Sequence, residues 1–361
     1  MTRGSRVSRR SHVTAFALCW LLCCASGRAQ EPEYAVRLLP LIPGSFSTIP
    51  SGFNNAGLVV GQTLVGSPLT LKAWFWTEAT GTQLLPAPPG LSSYRAIDVN
   101  DAGVIVGDGG YDWGEAWRLA DGVFEMLGTL PGDTMSNAAG INASGEVAGT
   151  SRQPSSSEPR NAFFAPVGAP MSLVQEDAWA TYLNAAGQVV GYYVSNVAFR
   201  YTPGLGTETL PPLGDRVLTW AWSINGSGDV VGEAAQANGN GHVPFLFTDA
   251  AGMSEIGSFG GGAGAAAIND RGEVVGNLDA GGPHPWIWTE ATGVRFLSEL
   301  IDPASGAQLL AVARINQRGE ILGQAVELAT GAWLPVLLTP RVLFADGFES
   351  GDTSEWSATI P

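Results

Sequence analysis

The sequence predicts an all-β ring: a seven-bladed propeller of four-stranded blades, closed by its own N-terminal strand. Three observations carry this. One short motif recurs seven times, its copies lie 41 to 47 residues apart, and the last repeat lacks a strand that the start of the chain can supply. A period of that length suits a four-stranded propeller blade.

The motif is an apolar residue, Asn, two variable residues, Gly, one residue, two mostly apolar residues and Gly. Its Asn and first Gly are Asn54 and Gly57, Asn100 and Gly103, Asn142 and Gly145, Asn184 and Gly187, Asn225 and Gly228, Asn269 and Gly272, and Asn316 and Gly319. This pattern predicts strand a, a tight turn and strand b. The Asn side chain can hydrogen-bond backbone two residues on, and the Gly can take positive φ in the bulge after the turn. A residue needed at the same turn of every blade is structural. The second Gly, four residues on, is expected to end strand b or to permit close approach of a neighbour.

Strand c follows as a small residue or Pro, an aromatic, then alternation: Ala73-Trp74, Ala116-Trp117, Ala162-Phe163, Ala198-Phe199, Pro244-Phe245, Pro285-Trp286 and Ala332-Trp333. Such aromatics are expected to fill the wedge between twisted sheets. Strand d is expected at pieces such as Leu127 to Gly132. The seventh repeat stops after strand c, near Thr339-Pro340. Leu39 to Gly44 aligns with Leu127 to Gly132, each Gly falling ten residues before the next motif Asn. The N-terminal strand is therefore expected to complete the seventh blade and leave no open edge.

The ends have a different composition. Arg3, Arg6, Arg9 and Arg10 precede the apolar run Val13 to Ala25, and small residues precede Gln30. Residues 1–29 thus predict a signal peptide cleaved after Ala29, on a run too short to span a bilayer comfortably. All three cysteines fall inside it, so the mature chain would have no disulfide, thiol nucleophile or cysteine-held metal. Losing five arginines with that segment would take the formal charge from −15 to −20. So acidic a chain is a poor partner for nucleic acid or anionic lipid. Residues 30–340 form the propeller, and 341–361 an acidic, aromatic tail outside the period.

The Asn-x-x-Gly-x-Val-Val-Gly motif and the Ala/Pro-aromatic-x-aromatic-Thr motif, as in Asn269 to Thr289, resemble the HAF-type extracellular repeat family of bacterial secreted proteins. The resemblance covers roughly Tyr34 to Pro340. It implies export and a repeat, and no activity. The tail from Phe344 to Ser357 is similar to a C-terminal signature of bacterial secreted proteins, which implies a sorting or processing tag.

Loop lengths locate the expected working face. The a–b turns are constant, whereas the b–c and d–a connections vary and share one face of a blade. Repeat proteins place variation on their binding face. That face is expected to carry Asp108 to Trp113, Trp179, Tyr192, Tyr193, Trp220 and Asp279 to His284. Of these, Tyr111, Trp113, Trp179, Tyr192, Tyr193 and Trp220 are the ligand-binding candidates. Exposed aromatics beside acids can hold a glycan or a protein segment. No nucleophile elbow, zinc-binding His-Glu-x-x-His or calcium loop is present, so no catalytic or metal residue is assigned and no cofactor is expected. The expected function is a monomeric extracellular binding module. A carbohydrate-active propeller enzyme using carboxylates such as Asp108 and Asp112 is the alternative, and a structural surface protein without a ligand is another.

Overall fold

The computed structural model describes residues 33–109, 114–154, 160–279 and 281–341. Within them lie seven antiparallel sheets of four strands each. Blade I is β2 (Ser45–Phe53), β3 (Val59–Val65), β4 (Thr70–Thr77) and β5 (Gly81–Leu84). Blades II to V repeat the order, with inner strands β6 (Arg95–Val99), β10 (Met135–Ile141), β14 (Ala178–Leu183) and β18 (Leu218–Ile224). Blade VI begins at β22 (Ala263–Ile268), and blade VII comprises β26 (Ala307–Ile315), β27 (Ile321–Glu327), β28 (Trp333–Pro340) and β1 (Tyr34–Leu38). The proposed signal peptide, its cleavage point and the tail beyond Arg341 lie outside the described residues.

The ring closes as the phase of the repeat requires. β1 pairs antiparallel with β28, from Tyr34 opposite Pro340 to Leu38 opposite Val336. The strand itself lies five residues earlier than the Leu39 to Gly44 piece expected to form it. In blade II the corresponding strand is β9 (Val123–Gly128), so the Leu-Gly-x-Leu piece is its end and the path back to the axis. The cause is that Pro40 and Pro43 cannot donate to a ladder, whereas Tyr34 to Leu38 can.

Each motif turn has one geometry. At Asn269 the side-chain Oδ1 accepts from the amides of Arg271 and Glu273, both at 3.1 Å. Gly272 N donates to Asn269 O at 3.0 Å, with Gly272 at φ 75°. The side chain also does something the sequence did not reveal. Its Nδ2 donates to Asn316 O of the next blade at 3.0 Å. The same link runs from Asn54 to Asn100 (2.9 Å), Asn100 to Asn142 (3.0 Å), Asn142 to Asn184 (3.2 Å), Asn184 to Asn225 (2.9 Å) and Asn225 to Asn269 (3.4 Å). The seventh junction uses Asn55, whose Oδ1 accepts from Gln317 N at 3.1 Å and whose carbonyl accepts from Arg318 Nη1 at 3.0 Å.

The second motif Gly does not end strand b, which continues past it. Opposite it the inner strand bulges in every blade, between Ala180 and Tyr182 in blade IV for example. A Cβ at Gly191 would sit 1.8 Å from Trp179 O and 2.9 Å from Phe199 Cε1. The glycine is therefore the seat of the strand-c aromatic, and Trp74, Trp117, Phe163, Phe199, Phe245 and Trp286 are all fully buried. Blade VII departs from this. Trp333 is 63% exposed, and Val336 faces Gly323 instead. The hairpin of β27 and β28 is longer than its sequence pattern suggests, so the core position falls three residues later.

The hydrophobic cores lie between blades. One joins Val60 and Ala73 of blade I to Tyr94, Ala96 and Trp117 of blade II, and another joins Leu322 and Leu337 of blade VII to Val59 and Trp74 of blade I. Apolar surface removed from water at these junctions stabilises the ring by about 25 cal/mol per Å².

Candidate functional site

The inner-strand bulges set the lining of the axis. The extra residue in each blade is Ser51, Ile97, Ala139, Thr181, Trp222, Ala266 or Ala313, and the residue after it is Gly52, Asp98, Gly140, Tyr182, Ser223, Ala267 or Arg314. Most are small. The four large ionisable or aromatic exceptions, Trp222, Asp98, Tyr182 and Arg314, divide the axis into compartments.

A cavity of about 750 Å³ opens on the face of the b–c and d–a loops. It is lined by Ala139, Thr181, Trp222, Ala266 and Ala313 from the bulges, by Glu233, His242 and Asp279 from the loop side, and by Arg314. A cavity of about 290 Å³ lies on the motif-turn face and is lined by six of the seven motif asparagines together with Tyr182. Arg314 and Tyr182 separate the two, with the guanidinium carbon 5.1 Å from the ring centroid.

Asp98 belongs to this partition. It is 3% exposed and accepts from Val99 N at 2.9 Å and Ile141 N at 3.3 Å. Burial pushes its carboxyl up to about 6, against the opposing pull of Arg314 and the two amides. Tyr182 is pushed well above the usual tyrosine range, first by the Asp98 carboxylate and then by burial. Gly52 and Gly140 make room here: a Cβ on Gly52 would lie 2.6 Å from Asp98 Oδ1, and one on Gly140 2.9 Å from Tyr182 Cδ2.

Above the partition an aromatic wall runs between two blades. Trp179 and Tyr192 are cross-strand partners whose rings stack at 5.0 Å and 26°. Tyr192 meets Trp222 of blade V edge-on at 5.7 Å. Arg160 also lies over the Trp179 ring, its guanidinium carbon 4.5 Å from the centroid. Beside them Trp220 stacks on His242 at 5.4 Å and 9°, and its Nε1 donates to Asn196 Oδ1 at 3.1 Å. His242 is held at both nitrogens, Nδ1 lying 3.1 Å from Glu233 Oε2 and Nε2 3.0 Å from Gly239 O.

Three of the sequence-derived candidates, Trp179, Tyr192 and Trp220, thus gather at one mouth. Tyr193 alternates to the opposite side of its strand and, half-buried, packs against the core on Phe199 at 5.5 Å. Tyr111, Trp113 and Asp112 lie outside the described residues. Asp108, expected on the loop face, is fully buried and forms a two-point ion pair with Arg95 at 2.8 and 3.1 Å. Trp222, Arg160, Glu233 and His242 were not anticipated. Aligning the repeats three residues before the motif Asn would have singled out Trp222, the one Trp at that position. Among the described residues no three His, Asp or Glu side chains converge as a metal site, and no helix is long and apolar enough to cross a membrane.

The sequence matches no protein-family model and no curated protein. Solved structures share its architecture. An oligogalacturonate lyase in complex with manganese aligns with TM-score 0.57 at 9% identity, over 87% of this chain and 95% of its own. Virginiamycin B lyase from Staphylococcus aureus aligns with TM-score 0.56 at 9% identity, over 86% of this chain and 100% of its own. The propeller domain of the Trilobed protease from Pyrococcus furiosus aligns with TM-score 0.51 at 9% identity, over 83% and 99%. At these identities the likeness is one of fold.

Proposed function

We propose that this propeller is an extracellular binding module whose loop-face cavity takes a glycan. The observation that carries the reading is the indole of Trp222, set on a bulge in the cavity wall and braced by the Trp179–Tyr192 stack. The apolar C–H faces of a sugar ring suit a large aromatic surface, and the polar groups around it, Glu233, Asn277 and Thr181, suit its hydroxyls. A cavity of about 750 Å³ is of the size that takes a small ligand or a short oligosaccharide. The reading includes export by the N-terminal segment and membership of the HAF-type repeat proteins, on the repeat motif alone. It also takes the protein as a monomer that avoids nucleic acid, on its acidity.

A second reading, a carbohydrate-active hydrolase or lyase, is favoured by one feature. His242, oriented by Glu233, stands at the cavity wall as a general acid or base would. Two of the proteins similar in fold are lyases. Titration calorimetry and product chromatography against a panel of oligosaccharides test both readings. Binding lost on Trp222→Ala without turnover supports the module. Turnover lost on His242→Gln supports the enzyme. No binding and no turnover would overturn both and leave a structural surface protein or a protein-binding face.

A further inference from the structure

The floor of the main cavity lies at the far end of the inner strands. Each inner strand runs from the loop face to its motif turn. Tyr182 and Arg314, which part the two axial cavities, are the last but one residues of β14 and β26. Asp98 holds the same place in β6. The strand from Ala307 to Arg314 spans at most about 23 Å at ~3.3 Å per residue. The wall around this pit comes from blades III to VII, and β1 on β28 closes the ring behind it. Among the described residues the cavity is entered at the loop face and ends blind at Arg314.

The blind end presents hydrogen-bond donors that the fold does not use. Lying over Tyr182 holds the Arg314 guanidinium by its face and spends none of its in-plane N–H groups. Among the described residues those groups meet one acceptor, Ala313 O, 3.3 Å from Nη1, and Nε is buried with none. Asp98 acts on Arg314 through its charge, yet its own oxygens accept from Val99 N and Ile141 N. Leaving a buried donor without an acceptor is costly to a fold. The ring does not need a cation at this place either. The other six blades carry Gly52, Asp98, Gly140, Tyr182, Ser223 and Ala267 there. Oxygens arriving with a ligand would give the cavity-side N–H groups of Arg314 the acceptors that the protein does not supply.

We propose that the main cavity takes its glycan end-on: the terminal sugar of a chain or branch reaches the floor, and its hydroxyls accept from Arg314. The inference rests on the glycan reading of the same site. An internal stretch of a chain needs an entrance and an exit, and a blind pit offers only an entrance. A chain lying across the mouth would leave the floor and Arg314 untouched. A chain end fills the pit, meets Trp222 on the wall and sets its last hydroxyls against a planar fork of N–H donors. The ligand class is therefore glycan termini, and the next sugars of the chain lie towards the loops.

The test takes the oligosaccharides that bind the folded chain in the calorimetric panel and offers each in three forms. One is free, one carries a branched polyethylene glycol at the reducing end, and one carries it at the non-reducing end. Arg314→Gln is the variant, with circular dichroism as the check on folding; Arg314 packs on Tyr182 and not on the Trp179–Tyr192 stack. The expected result is that one blocked form binds like the free sugar and the other at least about tenfold more weakly, which identifies the end that enters. Arg314→Gln is expected to weaken the free form by about tenfold, the loss of hydrogen bonds from a charged donor. Two blocked forms that bind as tightly as the free one overturn end-on entry and leave the glycan reading standing. Two blocked forms that both fail also overturn it, in favour of a short oligosaccharide enclosed whole. Parental affinity in Arg314→Gln overturns the floor contact. Binding of no sugar in any form overturns the glycan reading itself.

Discussion

Replacing Asn54 by Asp separates the two tasks of the motif asparagine. Asn54 Oδ1 accepts from Ala56 N at 3.0 Å and Leu58 N at 2.9 Å, and Nδ2 donates to Asn100 O at 2.9 Å. Asn54→Asp keeps both acceptor contacts and loses only the link to blade II. It also sets a carboxylate oxygen against the Asn100 carbonyl at a site that is 4% exposed. Losing one hydrogen bond costs about 1 kcal/mol, and the unfavourable oxygen contact with partial burial of charge adds about 1–2 more. Asn54→Ala loses all three bonds and is expected to cost about 3 kcal/mol. Asn54 is the best position for this test because residue 58 is Leu. In most other copies an acid or Gln at the equivalent place also bonds the amide, as Glu273 does Asn269 at 2.6 Å. Urea midpoints followed by tryptophan fluorescence give the comparison. If Asn54→Asp lies within about 0.5 kcal/mol of the parent, the blade-to-blade link stabilises nothing and the ring argument fails.

Gly191→Ala should be far more damaging than an exposed glycine substitution, because its methyl group meets a carbonyl at 1.8 Å and the Phe199 ring at 2.9 Å. Overpacking of this kind costs about 1–3 kcal/mol or more; a thermal midpoint within a degree of the parent would refute it. Asp98 gives the pH dependence. Its folded carboxyl is raised from 3.8 to about 6, so its contribution is fully present below about pH 4 and is lost as pH rises through 6. The shift corresponds to about 3 kcal/mol. The stability of the parent relative to Asp98→Asn should therefore fall between pH 4 and pH 7 in paired urea titrations, and a rise instead would place the carboxylate in a favourable setting.

The repeat was legible because its physics is local. Asn-x-x-Gly encodes one turn, and the turn needs the same residues wherever it occurs. The closing strand was legible from phase, although its position slipped because the aligned residues mark a strand's exit. Blade VII misled because Trp333 has the right composition for the core aromatic, and only the register places Val336 there. The site was legible at the level of a face, not of residues. Tyr192 and Tyr193 are indistinguishable in the sequence, and strand alternation sends one to the mouth and the other to the core. Asp108 looked like a loop acid and is a buried partner of Arg95. Trp222, Asp98 and Arg314 were missed because their meaning depends on a bulge that shows only when seven copies are laid against one another.

The closing pair β1 and β28 also fixes how the ring can be held. Tyr34 lies opposite Pro340, Arg341 N donates to Glu33 O at 2.7 Å, and Pro340 lies against the motif turn at Gly319. Residues 33 and 341 therefore leave from one point on the rim, on the motif-turn face. A tether fused at either position approaches from the side away from the mouth. Anchored to a support by either residue, the ring would keep its larger cavity facing outward, and a linker at one end would serve as well as a linker at the other.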